Sequence, residues 1–353
     1  MKNTSYFNDE LEKQFPHADD VLERMEAENG FAAGWAMHQK PVPKYVFDNH
    51  IHYNGPKDLP VSQCIKASMN NWEIYKATRA MLIINIYGES SDCDIPEYAQ
   101  SSDFPWFTVE DFKKRFDDLT DKTRIFRTAW IHHKEPNPDL IRAVAAAGFN
   151  GIKLHNAPII ETNAPYDLWL SDKWQETFKT MGECDLPVLI HVTQRLPCSE
   201  YVGGRRNAYW SVGWENGVTY GNEDLLQTFL KCCKLHPNIK FIGAHQLHIG
   251  WERLNELFAE YPNLYVDTTI GCTLKTYDDF YPHDKEYLRN IFIKHSDRIL
   301  FGTDRFWGSN ESMFDDTTFD QHLRFIYRLD LPADVLNNIC HGNIERIYNI
   351  DPL

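Results

Sequence analysis

Ala80-Met81-Leu82-Ile83-Ile84 is an unbroken apolar run, the pattern of a strand buried on both faces of a parallel sheet. Pro187-Val188-Leu189-Ile190 repeats it. Working outward, strand-like runs lie near residues 46–53, 80–87, 124–131, 149–155, 187–193, 239–245, 264–269 and 298–304, each followed by a helix-like stretch. Asn137-Pro138 precedes Leu140-Ile141 and Val144-Ala145, and Gly148 follows. That segment has an N-cap, a proline at the first helical position and a C-terminal glycine. Asn222 ahead of Leu225-Leu226 and Phe229-Leu230 starts another helix, and Leu254, Leu257 and Phe258 supply a third apolar stripe. Strand and helix alternating eight times predict an α/β fold, a (β/α)₈ TIM barrel rather than an open sheet.

The chain has 353 residues, within the range of roughly 200 to over 400 that such barrels span. Residues 1–44 precede the first strand, and Leu11, Phe15, Val21, Leu22 and Met25 stand at near-helical spacing. They predict a helical extension packed on a barrel of residues 45–353, as cover or as a contact between copies in a homo-oligomer. Basic residues number 36 against 51 acidic, a net charge of −15, which argues against nucleic acid or an anionic membrane as partner. Hydrophobic residues at 42% and aromatics at 14% suffice for a large core, so the chain is not a disordered one. Eight cysteines (64, 93, 184, 198, 232, 233, 272 and 340) show no CxxC pair and read as reduced thiols of a cytoplasmic protein. No apolar stretch follows Met1-Lys2-Asn3-Thr4-Ser5, and no run of 18 apolar residues occurs, so neither a leader nor a membrane span is expected.

Metal-binding residue types recur where the strands end. Asp48-Asn49-His50-Ile51-His52 closes the first strand, and alternation puts His50 and His52 on one face. Lys153 and His155 end the fourth, His191 the fifth, His245 the sixth and Asp304 the eighth. In a barrel these ends converge on the mouth where active sites are built. Three histidines and an aspartate suit one divalent ion, Zn²⁺ first, with an open position for water.

The order Asp-x-His-x-His on strand one, Gly151-Ile152-Lys153-Leu154-His155 on strand four, His191, His245 and Gly302-Thr303-Asp304 resembles the amidohydrolase superfamily. Within it, the match is to the amidohydrolase-related branch that includes aminocarboxymuconate-semialdehyde decarboxylase and related aromatic-acid decarboxylases. The segment Ile339-Cys340-His341-Gly342-Asn343-Ile344-Glu345-Arg346 resembles that branch's usual ending, an Asn-x-x-Arg element after the last helix. The resemblance covers roughly residues 44–350. It implies that His50, His52, His191 and Asp304 bind a single divalent ion, zinc by first choice and manganese by second. It also implies that His245 acts beside the ion as acid or base, although His248 competes for that role. Two-metal members carry a carboxylated lysine on the strand that holds Lys153; the single-ion arrangement is the expectation here.

A divalent ion would supply water acidified from a pKa of about 16 towards about 7. Asp304 would take its proton, and His245 would stabilise charge on a carbonyl oxygen or donate to a leaving group. Those parts serve hydrolysis of an amide, ester or lactone, and equally a non-oxidative decarboxylation. A third reading is a barrel that binds a ligand without turning it over. Arg195, Arg205, Arg206 and Arg305 lie near the mouth and suit a carboxylate. The expected substrate is therefore a small acidic molecule, with Lys153, His155, Arg195 and His248 as candidates to bind it. The connection from Thr193 to Gly221 carries Tyr201, Tyr209, Trp210, Trp214 and Tyr220 with little helical pattern, and reads as a flap over the mouth.

Overall fold

A computed structural model describes residues 43–65, 77–88, 105–119, 123–194, 208–269, 285–308 and 329–353, together with Pro96, Ala99, Leu323 and Ile326. Ten strands form one parallel sheet: β1 (Val46–Tyr53), β2 (Ala77–Ile86), β3 (Trp106–Phe107), β4 (Ile125–Ile131), β5 (Gly151–His155), β6 (Val188–His191), β7 (Phe241–Gly243), β8 (Leu264–Asp267), β9 (Ile299–Leu300) and β10 (Arg305–Trp307). Their order is β10-β1-β2-β4-β5-β6-β7-β8-β9, with β3 paired to β2. Since β9 and β10 belong to one short segment, pairing of β9 with β8 and of β10 with β1 closes the barrel. Asn49 N donates to Phe301 O at 3.0 Å, across the gap between β9 and β10. All eight expected strands are present; the eighth is broken at Phe301–Asp304.

Two hydrophobic clusters lie on opposite faces of this sheet. The larger, with Ile51, Leu82, Ile84, Val188, Ile190, Phe241 and Val266, packs beneath the helices. The smaller takes alternate positions, among them Phe47, Met81, Ile83, Leu189, Ile242 and Leu300, and fills the barrel interior with Ile344, Ile347 and Tyr348. Burial on both faces explains the continuous apolar runs. The helix at Pro138–Ala146 begins as its sequence predicts: the Asn137 side chain accepts from Asp139 N and Leu140 N, and Gly148 follows at φ +79°. The stripe Leu254, Leu257 and Phe258 is the buried side of the helix Trp251–Glu260.

The connection after β6 differs from its reading in one respect. Ala208–Glu215 is helical, because Tyr209, Trp210 and Trp214 recur at helical spacing and Trp210 is fully buried, its Nε1 donating to Gln194 O. Residues 1–42, the extension expected at the N-terminus, lie outside the described residues, and so do Arg195, Arg205 and Arg206. No helix among the described residues is long and apolar enough to cross a membrane.

Candidate metal centre

A bulge in β1 aims the first two histidines. Asp48 pairs with Ala80 and Ile51 with Leu82, so β1 advances three residues while β2 advances two. That extra residue breaks the alternation between Asp48 and His50. His50 and His52 face the interior, while Asp48 turns to the eighth segment. There its carboxylate accepts from His50 N and Thr303 N at 3.1 Å each, and from the Thr303 hydroxyl at 2.5 Å. Burial pushes the Asp48 carboxyl up to about 7. It ties strand one to strand eight.

His50 Nδ1 lies 2.7 Å from Asp267 Oδ2, which makes Nδ1–H the donor and puts the lone pair on Nε2, the nitrogen that would bind an ion. Asp304 Oδ1 is 3.2 Å from both His50 Nε2 and His52 Nε2, and its Oδ2 is 3.5 Å from His245 Nε2. Burial opposes charge on Asp304, but His50, His52 and His245 around it hold the carboxyl well below its ordinary value. Burial likewise holds His52 and His245 down at about 4 and His191 well below its usual value. Each is therefore the neutral imidazole that binds metals.

The ligand atoms fall into two adjacent groups. His50, His52 and Asp304 form one; His191, His245 and His248 form the other, ligand atoms within 4.8 Å in each. The His50 and His245 rings are 5.6 Å apart and those of His191 and His245 4.5 Å, so both groups share one mouth. His191 Nε2 and both ring nitrogens of His245 are buried without a hydrogen-bond partner. Such nitrogens are costly unless something occupies them, and a divalent cation fits this donor set. His248 stacks on His245 at 4.9 Å.

Lys153 is fully buried, its Nζ 3.1 Å from His50 Nε2, and burial brings its ammonium down to about 8. His155 is oriented differently from the other histidines. Its Nδ1 accepts from Ala157 N at 2.9 Å, so in the neutral ring the proton sits on Nε2 and makes a donor rather than a metal ligand. His155 lies 4.3 Å from His191 and 5.6 Å from Trp130, ring to ring.

Backbone strain concentrates at this mouth. His245, Gln246, Leu247 and His248 all have φ between 52° and 56°, and Asp304 has φ 58°. Non-glycine residues rarely take this left-handed region, and they do so chiefly where function holds them. What secures the turn is Asp267, which the strand-end reading passed over. Its Oδ1 accepts from His245 N at 2.8 Å, from Thr269 N and from the Thr269 hydroxyl. Gln246 Nε2 adds bonds to the carbonyls of Asp267 and Thr269. A carboxylate closing the run Leu264-Tyr265-Val266-Asp267 was the available signal.

A closed parallel barrel with imidazoles and a carboxylate gathered at its C-terminal mouth defines a class of metal-centred barrel enzyme. A family profile described as amidohydrolase matches residues 102–350, and the chain belongs to that family. The matched span starts beyond β1 and β2, so it does not include His50 or His52. Among solved structures, the chain is similar to dihydroorotase from Campylobacter jejuni (TM-score 0.54, 16% identity, 87% of this chain and 84% of that one). It is similar also to 5-carboxyvanillate decarboxylase from Sphingomonas paucimobilis (TM-score 0.52, 14% identity, 87% and 99%). A third is dihydroxybenzoic acid decarboxylase from Polaromonas sp. JS666 with bound manganese and the inhibitor 2-nitroresorcinol (TM-score 0.52, 16% identity, 87% and 98%). At these identities the likeness is one of fold. No curated protein sequence matches the chain significantly.

Proposed function

We propose that this protein is a metal-dependent hydrolase acting on an amide, ester or lactone of a small acidic molecule. The observation that carries the reading is the position of Asp304, one oxygen against His50 and His52 and the other towards His245. In this reading His50, His52, His191 and Asp304 hold one divalent ion, Zn²⁺ first and Mn²⁺ second. The ion's contribution is Lewis acidity, which acidifies a water and polarises a carbonyl. Asp304 accepts a proton at Oδ2. His245, 3.5 Å away, hydrogen-bonds the carbonyl oxygen or passes a proton to the leaving group. Asp267 holds His50 in place through Nδ1, Lys153 binds the substrate, and the His155 Nε2–H donates to it.

A second reading, non-oxidative decarboxylation of an unsaturated or aromatic acid, draws support from the aromatic lining beside His52 and His155, with Trp130 6.2 and 5.6 Å from their rings. Two of the three structures named above are decarboxylases of aromatic acids, which favours the same possibility. Elemental analysis of the purified protein, combined with assays on a panel of acids, amides and lactones, tests both. Release of carbon dioxide rather than an acid and an amine or alcohol would replace the first reading with the second. An intact protein without bound metal would remove both.

A further inference from the structure

Asn156 directly follows His155, is fully buried, and has no part in the proposed reaction. Strands β5 and β6 run paired as far as His155 and His191. At Asn156 the chain leaves the sheet, with φ −85° and ψ −12°, and starts the helix Ala157–Glu161. Its N–H donates to His191 O at 3.0 Å, and its side-chain Nδ2 donates to Val192 O at 2.8 Å. One residue therefore holds two consecutive carbonyls, that of His191 and that of its successor. The amide is itself held, because Trp169 Nε1 donates to Asn156 Oδ1 at 2.7 Å. An indole N–H can only donate, so it settles which end of the amide is oxygen and turns Nδ2 towards Val192. Trp169 is buried in turn, edge-on to Trp174 at 4.5 Å.

His50 and His191 are oriented by different means. Asp267 fixes the His50 ring through Nδ1. His191 Nε2 has no hydrogen-bond partner, and its ring lies among other rings, 4.3 Å from His155, 4.5 Å from His245 and 5.6 Å from His248. Ring contacts lack the directionality of a hydrogen bond, so the main chain decides where this imidazole stands. Pairing of β6 with β7 stops at Ile190, one residue short of His191. From the β5 side, the grip on that main chain is Asn156.

We propose that Asn156 is a positioning residue for the metal centre: its hold on the His191 and Val192 carbonyls sets the His191 imidazole towards the ion, and Trp169 Nε1–H keeps the amide in the orientation that does so. The proposal rests on the reading of His191 as a ligand.

The test compares Zn²⁺ affinity, by competition with a chelator, and the visible spectrum of the Co²⁺-loaded protein, which reports ligand geometry. Urea midpoints of the metal-free proteins report the fold alone. Asn156→Ala should bind zinc about 10- to 100-fold more weakly, as for other outer partners of a metal ligand, and should shift the cobalt bands. Trp169→Phe keeps a ring and removes the N–H; it should shift the same bands with a smaller loss of affinity. Added to Asn156→Ala it should cost no further affinity, because it acts through the amide. The control for plain destabilisation is Asn263, just ahead of β8, whose Nδ2 donates to the carbonyls of Cys233, His236 and Ile239. Asn263→Ala should lower the urea midpoint and leave zinc affinity and cobalt bands at wild-type values. If Asn156→Ala loses stability but keeps both metal readouts, Asn156 is structural and the proposal is overturned. Equal metal effects in Asn263→Ala overturn it too, since the readouts would then follow stability. Should Asn156→Ala fail to fold, Trp169→Phe decides: shifted bands support the proposal and unchanged bands overturn it. A wild type that binds neither ion removes the metal-centred reading and this proposal with it, a failure visible before any variant is made.

Discussion

One carboxylate, Asp267, fixes two parts of the mouth: it orients His50 through Nδ1 and holds the backbone N–H of His245. His50 and His245 together hold its carboxyl down at about 2 against the effect of burial. Asp267→Asn should therefore weaken metal binding by about 10- to 100-fold, the usual cost of losing such an outer partner, as measured by competition with a chelator of known affinity. His50→Ala and Asp304→Ala should lose the ion outright. His245→Asn should keep the metal and lower turnover by roughly 10²-fold or more, the typical share of a general acid or base. Departure of the metal from that variant would make His245 a ligand, the role its neighbours His191 and His248 also permit. The sequence displayed the donors at the strand ends, because chemistry and position coincide there. Asp267 was visible only as a lone acid closing its strand, and the tautomer of His155, which a backbone N–H sets, was not visible at all.

At the level of elements, the strands were legible because burial on both faces leaves apolar runs rich in branched residues. Breaks within strands were not. The bulge at Asp48–His50 and the interruption at Phe301–Asp304 depend on pairing across the sheet, and no local pattern encodes a partner's register. The helix Ala208–Glu215 was hidden because the contrast between its apolar and polar sides is weak. The helix at Pro138 was plain, since its cap is written in the sequence. Asn137→Ala removes the acceptor for Asp139 N and Leu140 N, and should cost about 1 kcal/mol of stability. A urea midpoint shift with unchanged turnover would confirm that this helix supports the barrel without touching the mouth. A change in kcat would contradict that separation.

Across the whole molecule the barrel has a sealed end and a reactive one. At the sealed end Glu345 accepts from the Tyr45 hydroxyl and from Arg79 Nη1 at 2.7 Å, and His341 stacks on Tyr45 at 4.0 Å. These contacts fasten the C-terminal segment beneath β1 and β2. At the reactive end, a resident ion would add binding free energy to folding free energy, so a chelator should lower the melting temperature and added Zn²⁺ restore it.

Acid should weaken the same end even where no ion is involved. His132 and His133 follow β4, both buried, and His132 Nδ1 accepts from Lys134 N at 3.2 Å, a bond that a proton on Nδ1 would break. Burial, reinforced by neighbouring charge, holds His132 at about 3 and His133 at about 4; an exposed histidine titrates near 6.5. Between about 6.5 and about 4 the unfolded chain binds protons at these positions and the folded one does not, so stability rises with pH across that window. The contribution is complete above about 6.5 and is lost as the pH falls towards the folded-state values. His132→Gln together with His133→Gln removes the two titrating groups and leaves the backbone acceptor that His133 offers Trp174 Nε1. Urea midpoints measured at pH 7.5 and pH 5, with chelator present throughout, should fall less in the double variant than in the wild type. Equal losses would mean that other groups carry the acid sensitivity, with these two histidines protonated alike in both states.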